Sequence, residues 1–450
     1  MRENLPSQPP LVAAPFDHQH VRELEGIDSI LTQLPEATSW VYDDLVAGLK
    51  NPSTGRTGMS AELALRALVV KQMTEFSYEQ LVFHLGDSAA YRAFCKLGIG
   101  DPPPTLSTLK RNLKLVSAET LEAIHWQVLL VAQDKGVEQA RKVRFDCTVT
   151  ETNIHEPSDS SLLDDCVRVL VRCMTYAKDF VSVPFRDSTL RAKRRAMEIL
   201  NARTNKAREK PYRDLMKVTG ITMRSAERVA DALDSCEVAS PIGYARALGL
   251  AADLRHYAGL AQQVLAQTGR RIFLGDTVPA KEKIVSIFEP HTDIIIKDRR
   301  QTLYGHKLCL ATGASGLVLD LRIEDGNPAD STLAVEMVKR QSDIFDRVPR
   351  QVAFDGGFAS KDNLTELKEL GVEDVAFSKK RGLDVAEMTR SRRIYRSLRN
   401  FRAGIEAGIS YLKRCFGLDR CTWRSLASFK AYSWASVLSA NLLTLARRLL

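Results

Sequence analysis

RKVRFDCTVT, residues 141–150, sets the fold class and anchors the rest of the chain. It alternates apolar and polar side chains and is rich in β-branched residues, the pattern of a half-buried strand. Alternation puts Val143 and Phe145 on one face and Arg144 and Asp146 on the other. Upstream, residues 20–135 read as helical, behind a loose proline-rich tail over 1–20. SAELALRALVVKQM opens at Ser60, a residue suited to cap a helix, and PPPTLSTLKRNLKLV restarts after prolines with Thr105 or Ser107 as cap. Downstream, residues 160–270 are helical again. Strand texture resumes at about 282–325 with KIVSIF, GHKLCLAT and GLVLDLRIE, the last two joined by the turn ATGASG. A helix near 329–344, the strand QVAFD, a helix near 360–370, the strand DVAFS and long helices from about 396 complete the chain. Mixed strands flanked by helices predict an α/β fold. The expected organisation is a tail over 1–20, an all-α domain over 21–138, and an α/β domain over 139–450 interrupted by a helical insertion at 160–272.

Composition narrows the function. The chain has 450 residues, enough for two or three domains, and its 44% apolar share excludes a disordered protein. Its eight cysteines are scattered, with no CxxC pair, so neither a disulfide framework nor a zinc ribbon follows. His155, His291 and His306 lack the spacing of a zinc hydrolase. No signal peptide and no membrane-spanning run is legible, which predicts a cytoplasmic protein. The net charge of +9 points to a polyanion. Residues 186–231 hold thirteen Lys/Arg against six Asp/Glu, and residues 379–402 hold nine against two.

Three acids stand out. Asp146 sits within an apolar strand, where a carboxylate is costly unless compensated; an outward-facing strand residue is the plainer reading. Asp355 ends QVAFD ahead of Gly356 and Gly357, at the kind of strand end where α/β sheets place ligands. In FRAGIEAGISYLKRCF, Ile405, Ile409, Leu412 and Phe416 form an apolar stripe. Arg402, Glu406 and Lys413 form a second stripe beside it, which a salt-bridge ladder would also explain.

On these residues, the chain resembles the Asp-Asp-Glu (DDE) transposases of bacterial insertion sequences, whose catalytic domain has an RNase H-like fold. Four segments carry the resemblance: FDCTVTETNIHEPSDSSLL (145–163), YGHKLCLATGASGLVLDLRIEDGNPADS (304–331), FDGGFAS (354–360), and Arg402, three residues, Glu406, six residues, Lys413. The segment near 59–96 resembles the helical N-terminal domain often fused to such enzymes. Two departures stand out. Arg399 occupies the place of the family's tyrosine, the nearest being Tyr395, and Glu156 stands where relatives often carry an aromatic.

The resemblance implies that Asp146, Asp355 and Glu406 are catalytic and hold two Mg²⁺, with Mn²⁺ as a substitute. Water would attack at the transposon end, and the freed 3′-OH would then attack target DNA. Arg402, Lys413, Lys307, Arg399, Lys379, Lys380 and Arg381 would contact DNA. The implied partners are double-stranded DNA, as inverted-repeat ends and as target, and further copies of the chain. A nuclease of the same fold without strand transfer, or an inactive DNA-binding descendant, are the alternatives.

Overall fold

The computed structural model describes residues 17–51, 58–98, 100–237, 240–297 and 301–450. The tail expected over 1–20 lies outside the described residues as far as residue 16. The chain forms two compact units, residues 1–151 with 306–450 and residues 152–305.

The first unit opens with helices α1 (Gln19–Thr32), α2 (Pro35–Val46), α3 (Ala61–Thr74), α4 (Tyr78–Asp87), α5 (Ala89–Phe94), α6 (Leu106–Leu113) and α7 (Ala118–Asp134). Ser60 caps α3 as its position predicts, and of the two candidates Thr105 and Ser107 it is Thr105 that caps α6, each cap side chain accepting a backbone N–H of the first turn. Strand β1 (Lys142–Glu151) follows and leads into the second unit.

That unit holds α8 (Asp159–Ala177), α9 (Thr189–Asn201), α10 (Asn205–Asp234) and α11 (Pro241–Gly269), then β2 (Asp293–Lys297) and the start of β3 (Gln301–Thr312). Its core is formed by side chains such as Leu163, Leu170, Leu215 and Leu254. KIVSIF, expected as a strand, is not one. Ile284, Val285 and Ile287 are buried, but the backbone of Ile284 bonds a side chain instead of a neighbouring strand. The amide of Gln267 receives Ile284 N–H at 2.9 Å and donates to Ile284 C=O at 3.0 Å. The apolar pattern reported burial correctly, and at Ile284 a glutamine side chain met the hydrogen bonds that a neighbouring strand would otherwise supply.

The first unit resumes within β3 and continues through β4 (Val318–Ile323), α12 (Ala334–Phe345), β5 (Gln351–Phe354), α13 (Lys361–Glu369), β6 (Asp374–Phe377), α14 (Val385–Met388), α15 (Arg392–Cys415) and α16 (Leu426–Leu449). Here β3, β1, β5 and β6 lie side by side in that order, with β4 antiparallel on β3. β5 runs parallel to β1, and β6 parallel to β5. This is the mixed sheet flanked by helices that the strand order predicts. α15 lies on β1, β5 and β6, while α16 packs against α1, α3 and α7.

The strand register carries one aromatic row across this sheet. Phe145, Phe354 and Phe377 are partners across β1, β5 and β6, and their rings stack at 4.7 and 5.6 Å. All three are fully buried. The row anchors the sheet at the level just before the two aspartates.

No single helix among the described residues is long and apolar enough to cross a membrane; α6 and α7 pass that test only as a pair, bent by 75°. α7 is a core helix. Its His125 is buried, with Nε2 2.9 Å from Val318 O and 3.0 Å from Asn441 Nδ2 on α16. Burial depresses this imidazole from 6.5 to about 4. The folded protein therefore holds a neutral ring while the unfolded chain takes up a proton below pH 6.5. The stability this gives is complete above pH 6.5 and is lost as pH falls through 4, by about 3 kcal/mol. Chemical unfolding at a series of pH values should show His125→Gln flattening that part of the curve; identical slopes for the two proteins would contradict the assignment.

Candidate active site

Because Phe145, Phe354 and Phe377 share one row, the residues after them arrive together: Asp146 on β1, Asp355 after β5 and Ser378 after β6. Neighbouring strands are about 4.8 Å apart, so side chains in such a row can touch. The Ser378 hydroxyl donates to Asp355 Oδ1 at 2.8 Å, and Ser378 N–H donates to Phe354 C=O at 3.0 Å.

The third acid comes from α15. Arg144 fixes this helix on the sheet: its Nε donates to Thr312 Oγ1 and its Nη1 to Phe401 C=O, both at 2.8 Å. Its guanidinium also lies 4.7 Å from the Phe401 ring centre. Gly404 is required for this approach, since a Cβ there would overlap Arg144 Nη1. Farther along the helix, Lys413 Nζ donates to Val149 C=O on β1 at 2.8 Å and pairs with Asp419 at 3.2 Å. Near its start, the buried Tyr395 donates its hydroxyl to Phe377 C=O at 2.9 Å.

So held, α15 presents Arg402 to all three acids. Arg402 Nη2 is 2.9 Å from Asp146 Oδ2 and 3.1 Å from Asp355 Oδ1, and Nη1 is 2.8 Å from Glu406 Oε1. Arg402 and Asp146 are each only 15% exposed, whereas Asp355 is 38% and Glu406 65% exposed. The expected ladder between Arg402 and Glu406 does form, and the same guanidinium gathers the two distant aspartates.

Burial pushes the Asp146 carboxyl up to about 6; Asp355 and Asp330 add to the rise, and Arg402 opposes it. Asp355 moves the other way. Burial acts to raise it, but the Ser378 hydroxyl, the N–H groups of Gly356 and Gly357, and Arg402 together hold it below the usual carboxylate range. The acids are thus unequal, one desolvated and one well solvated by fixed donors.

The carboxylates surround an arginine, and among the described residues no three His, Cys, Asp or Glu converge closely enough to hold a metal ion. The donor chemistry nevertheless fits one. Carboxylate oxygens suit a hard divalent ion. Oxygens of Asp146 and Asp355 both lie about 3 Å from a single nitrogen, so the place between them already accommodates a cation. Arg402 Nε is buried without a hydrogen-bond partner, so this guanidinium is incompletely satisfied where it stands.

Among the cations singled out in the sequence, Lys379, Lys380, Arg381 and Arg399 are exposed. Lys379 follows Ser378 and packs so closely on Gly356 that a Cβ there would lie 2.7 Å from Lys379 Cβ. Lys380 and Arg399 flank the Tyr395 ring at 5.8 and 6.0 Å. Lys307 is buried, its amine 2.5 Å from Asp330 and 2.6 Å from Pro328 O. His306 is also buried, edge-on to Phe429 at 4.7 Å, which favours a structural role for that residue.

Two residues of the site do not stand out in the sequence. Ser378 has a signal, because QVAFD and DVAFS repeat one pattern with serine in the place of the aspartate. Asp330, within NPADS, lies in a segment that carries the resemblance but has no local pattern that singles it out, and only the fold brings its charge near Asp146. Ser378→Ala should slow catalysis roughly 10- to 100-fold, the usual cost of losing a group that orients a ligand. Ser378→Thr should keep most of the rate, with DNA cleavage, the activity the resemblance implies, as the measurement for both variants. Equal rates for Ser378→Ala and the unaltered protein would show that Asp355 needs no such support.

Two family models match. The Transposase DDE domain covers residues 282–442, and the Transposase domain (DUF772) covers residues 19–115. The first includes Asp355, Arg402 and Glu406; Asp146 and most of the second unit lie outside both. Neither a curated protein nor a solved structure matches the chain.

Proposed function

Since this chain belongs to the DDE transposases, with the RNase H-like fold that family implies, we propose that it cuts DNA at transposon ends and joins the freed 3′ end to target DNA. The observation that carries the proposal is the convergence of Asp146, Asp355 and Glu406, from β1, the end of β5 and α15, on Arg402.

Asp146, Asp355 and Glu406 would hold two Mg²⁺, or Mn²⁺ in their place. Such ions, when bound, polarise the phosphodiester and activate the attacking oxygen. The chain's own residues do the rest. Ser378 and the N–H groups of Gly356 and Gly357 keep Asp355 ionised and oriented. Arg144 and Lys413 fix the register of α15 on β1, which sets the position of Glu406. Lys307 holds Asp330 in place next to the site. Lys379, Lys380, Arg381 and Arg399 would bind phosphates of the DNA backbone, positioning a strand without reading its sequence. Arg402, with its fork of donors, would turn to a phosphate as divalent ions take the carboxylates. Inverted-repeat ends, a target duplex and further copies of the chain are the partners this reading requires.

The test is a labelled DNA carrying the ends of the element, incubated with protein, target plasmid and Mg²⁺ or Mn²⁺. Label joined to the plasmid is the expected product. Nicking without joining would mean a nuclease, and binding without either would mean an inactive DNA-binding protein.

A further inference from the structure

The helical part of the second unit lies outside both family matches, and its longest helix, α10, has two opposed faces. Tyr212, Leu215, Val218, Ala226, Val229 and Leu233 are buried in the core of the unit. On the opposite side, Lys206, Lys210, Arg213, Lys217, Arg224 and Arg228 are all exposed. Their spacing of three, four or seven residues keeps them within roughly 60° of one another at 100° per residue. At 1.5 Å per residue the row spans about 33 Å of an ideal helix, close to one turn of B-DNA.

The row is not neutralised. Among the described residues, Lys206, Lys210, Lys217 and Arg224 enter no ion pair. Arg213 lies over the Phe273 ring at 4.9 Å, and Arg228 donates to Ser225 Oγ at 3.2 Å. Other cations of the same unit are matched: Arg191 and Arg195 hold Asp214, Arg195 also holds Glu198, and Arg255 holds Asp231 and Asp234. Glu209 and Glu227 sit to one side of the row, roughly 40° around the helix beyond Arg213. Six like charges lined up on one face of a helix repel one another, and in isolation this lowers stability. A polyanion of matching length removes that repulsion and releases its own counterions.

We propose that this face of α10 binds the phosphate backbone of double-stranded DNA, independently of sequence, and so gives the insertion a DNA-holding role. The choice of polyanion rests on the transposase function proposed for the chain. The binding itself does not depend on the three acids.

The test uses the full chain and a labelled 40-base-pair duplex of arbitrary sequence, with affinity measured by fluorescence anisotropy over a salt series. A variant carrying Lys206→Gln, Lys210→Gln, Lys217→Gln and Arg224→Gln should bind at least tenfold more weakly at low salt. The slope of log affinity against log salt should fall by about 3.5, for four lost phosphate contacts. The same four positions changed to Glu should weaken binding further, with circular dichroism and melting reporting the fold of both variants. Since all four side chains are exposed and their like charges repel one another, melting of the Gln variant at or slightly above that of the unaltered protein is expected. An unchanged slope in folded variants, or an unaltered protein that shows no salt-dependent duplex binding, would overturn the proposal. If the Gln variant binds like the unaltered protein while strand joining persists, only this inference fails. If joining is absent while the slope falls as stated, only the proposed transposase function fails.

Discussion

Asp146→Asn, Asp355→Asn and Glu406→Gln should each reduce DNA cleavage and joining by roughly 10³-fold or more, since losing one carboxylate of a two-ion site removes several kcal/mol of transition-state stabilisation. The fold should survive all three. Each substitution replaces a carboxylate with an amide of nearly the same shape. Asp146 is the sharpest case. Its carboxyl is pushed up to about 6 by burial, so at neutral pH the fold bears the cost of an ion taken out of water. Asp146→Asn relieves that cost while weakening the contact with Arg402 at 2.9 Å. Its melting temperature without metal should therefore stay close to that of the unaltered protein or rise. Duplex binding should also persist, because the exposed cations lie on other residues. Cleavage at more than a tenth of the normal rate in any variant would remove that residue from the site. A lost fold would leave no inference about chemistry, so melting must be measured alongside rate.

Arg402→Gln should have the largest effect on stability. One guanidinium now faces three carboxylates, two of them through the same nitrogen. Deleting it leaves Asp146 partly buried beside Asp355 with no cation between them. Breaking a buried ion pair from one side costs about 3–5 kcal/mol, and the exposure of Glu406 and Asp355 places this case at the lower end. The loss should appear in chelator and should be largely recovered in millimolar Mg²⁺ or Mn²⁺. The unaltered protein should gain less from the same ions, since there they must first displace Arg402. The readout is thus the metal-induced shift in melting temperature, which needs no DNA and no catalysis. Arg402→Lys should be an incomplete substitute, because one ammonium cannot reproduce a planar fork shared among three acids. If divalent ions shift the variant and the unaltered protein equally, the carboxylates are not the ions' binding place, or Arg402 does not compete for it.

Amino-acid order alone determined the local grammar of this protein. Alternation in RKVRFDCTVT placed Arg144 and Asp146 on one face of a strand, and the four-residue step from Arg402 to Glu406 placed both on one side of a helix. A cap at Ser60, a cap at Thr105 or Ser107, the short strands QVAFD and DVAFS, and the basic run 379–402 were legible for the same reason. Each rests on the fixed periods of strand and helix, which act over a few residues. The resemblance to a known family then linked three acids that no local rule could connect.

Which of these residues meet was left to tertiary packing. Parallel register across three strands aligned Phe145, Phe354 and Phe377, and so delivered Asp146, Asp355 and Ser378 side by side. Arg144 and Gly404 set where α15 crosses that row, and Arg402 became the common partner of acids more than two hundred residues apart in the chain. The same kind of contact turned KIVSIF from an expected strand into a loop clamped by Gln267. Buried hydrogen-bonding groups must find partners, but sequence periodicity does not say which ones. That choice is made by contacts between distant segments, which is why Lys307 faces Asp330 while Lys379 and Lys380 remain in solvent.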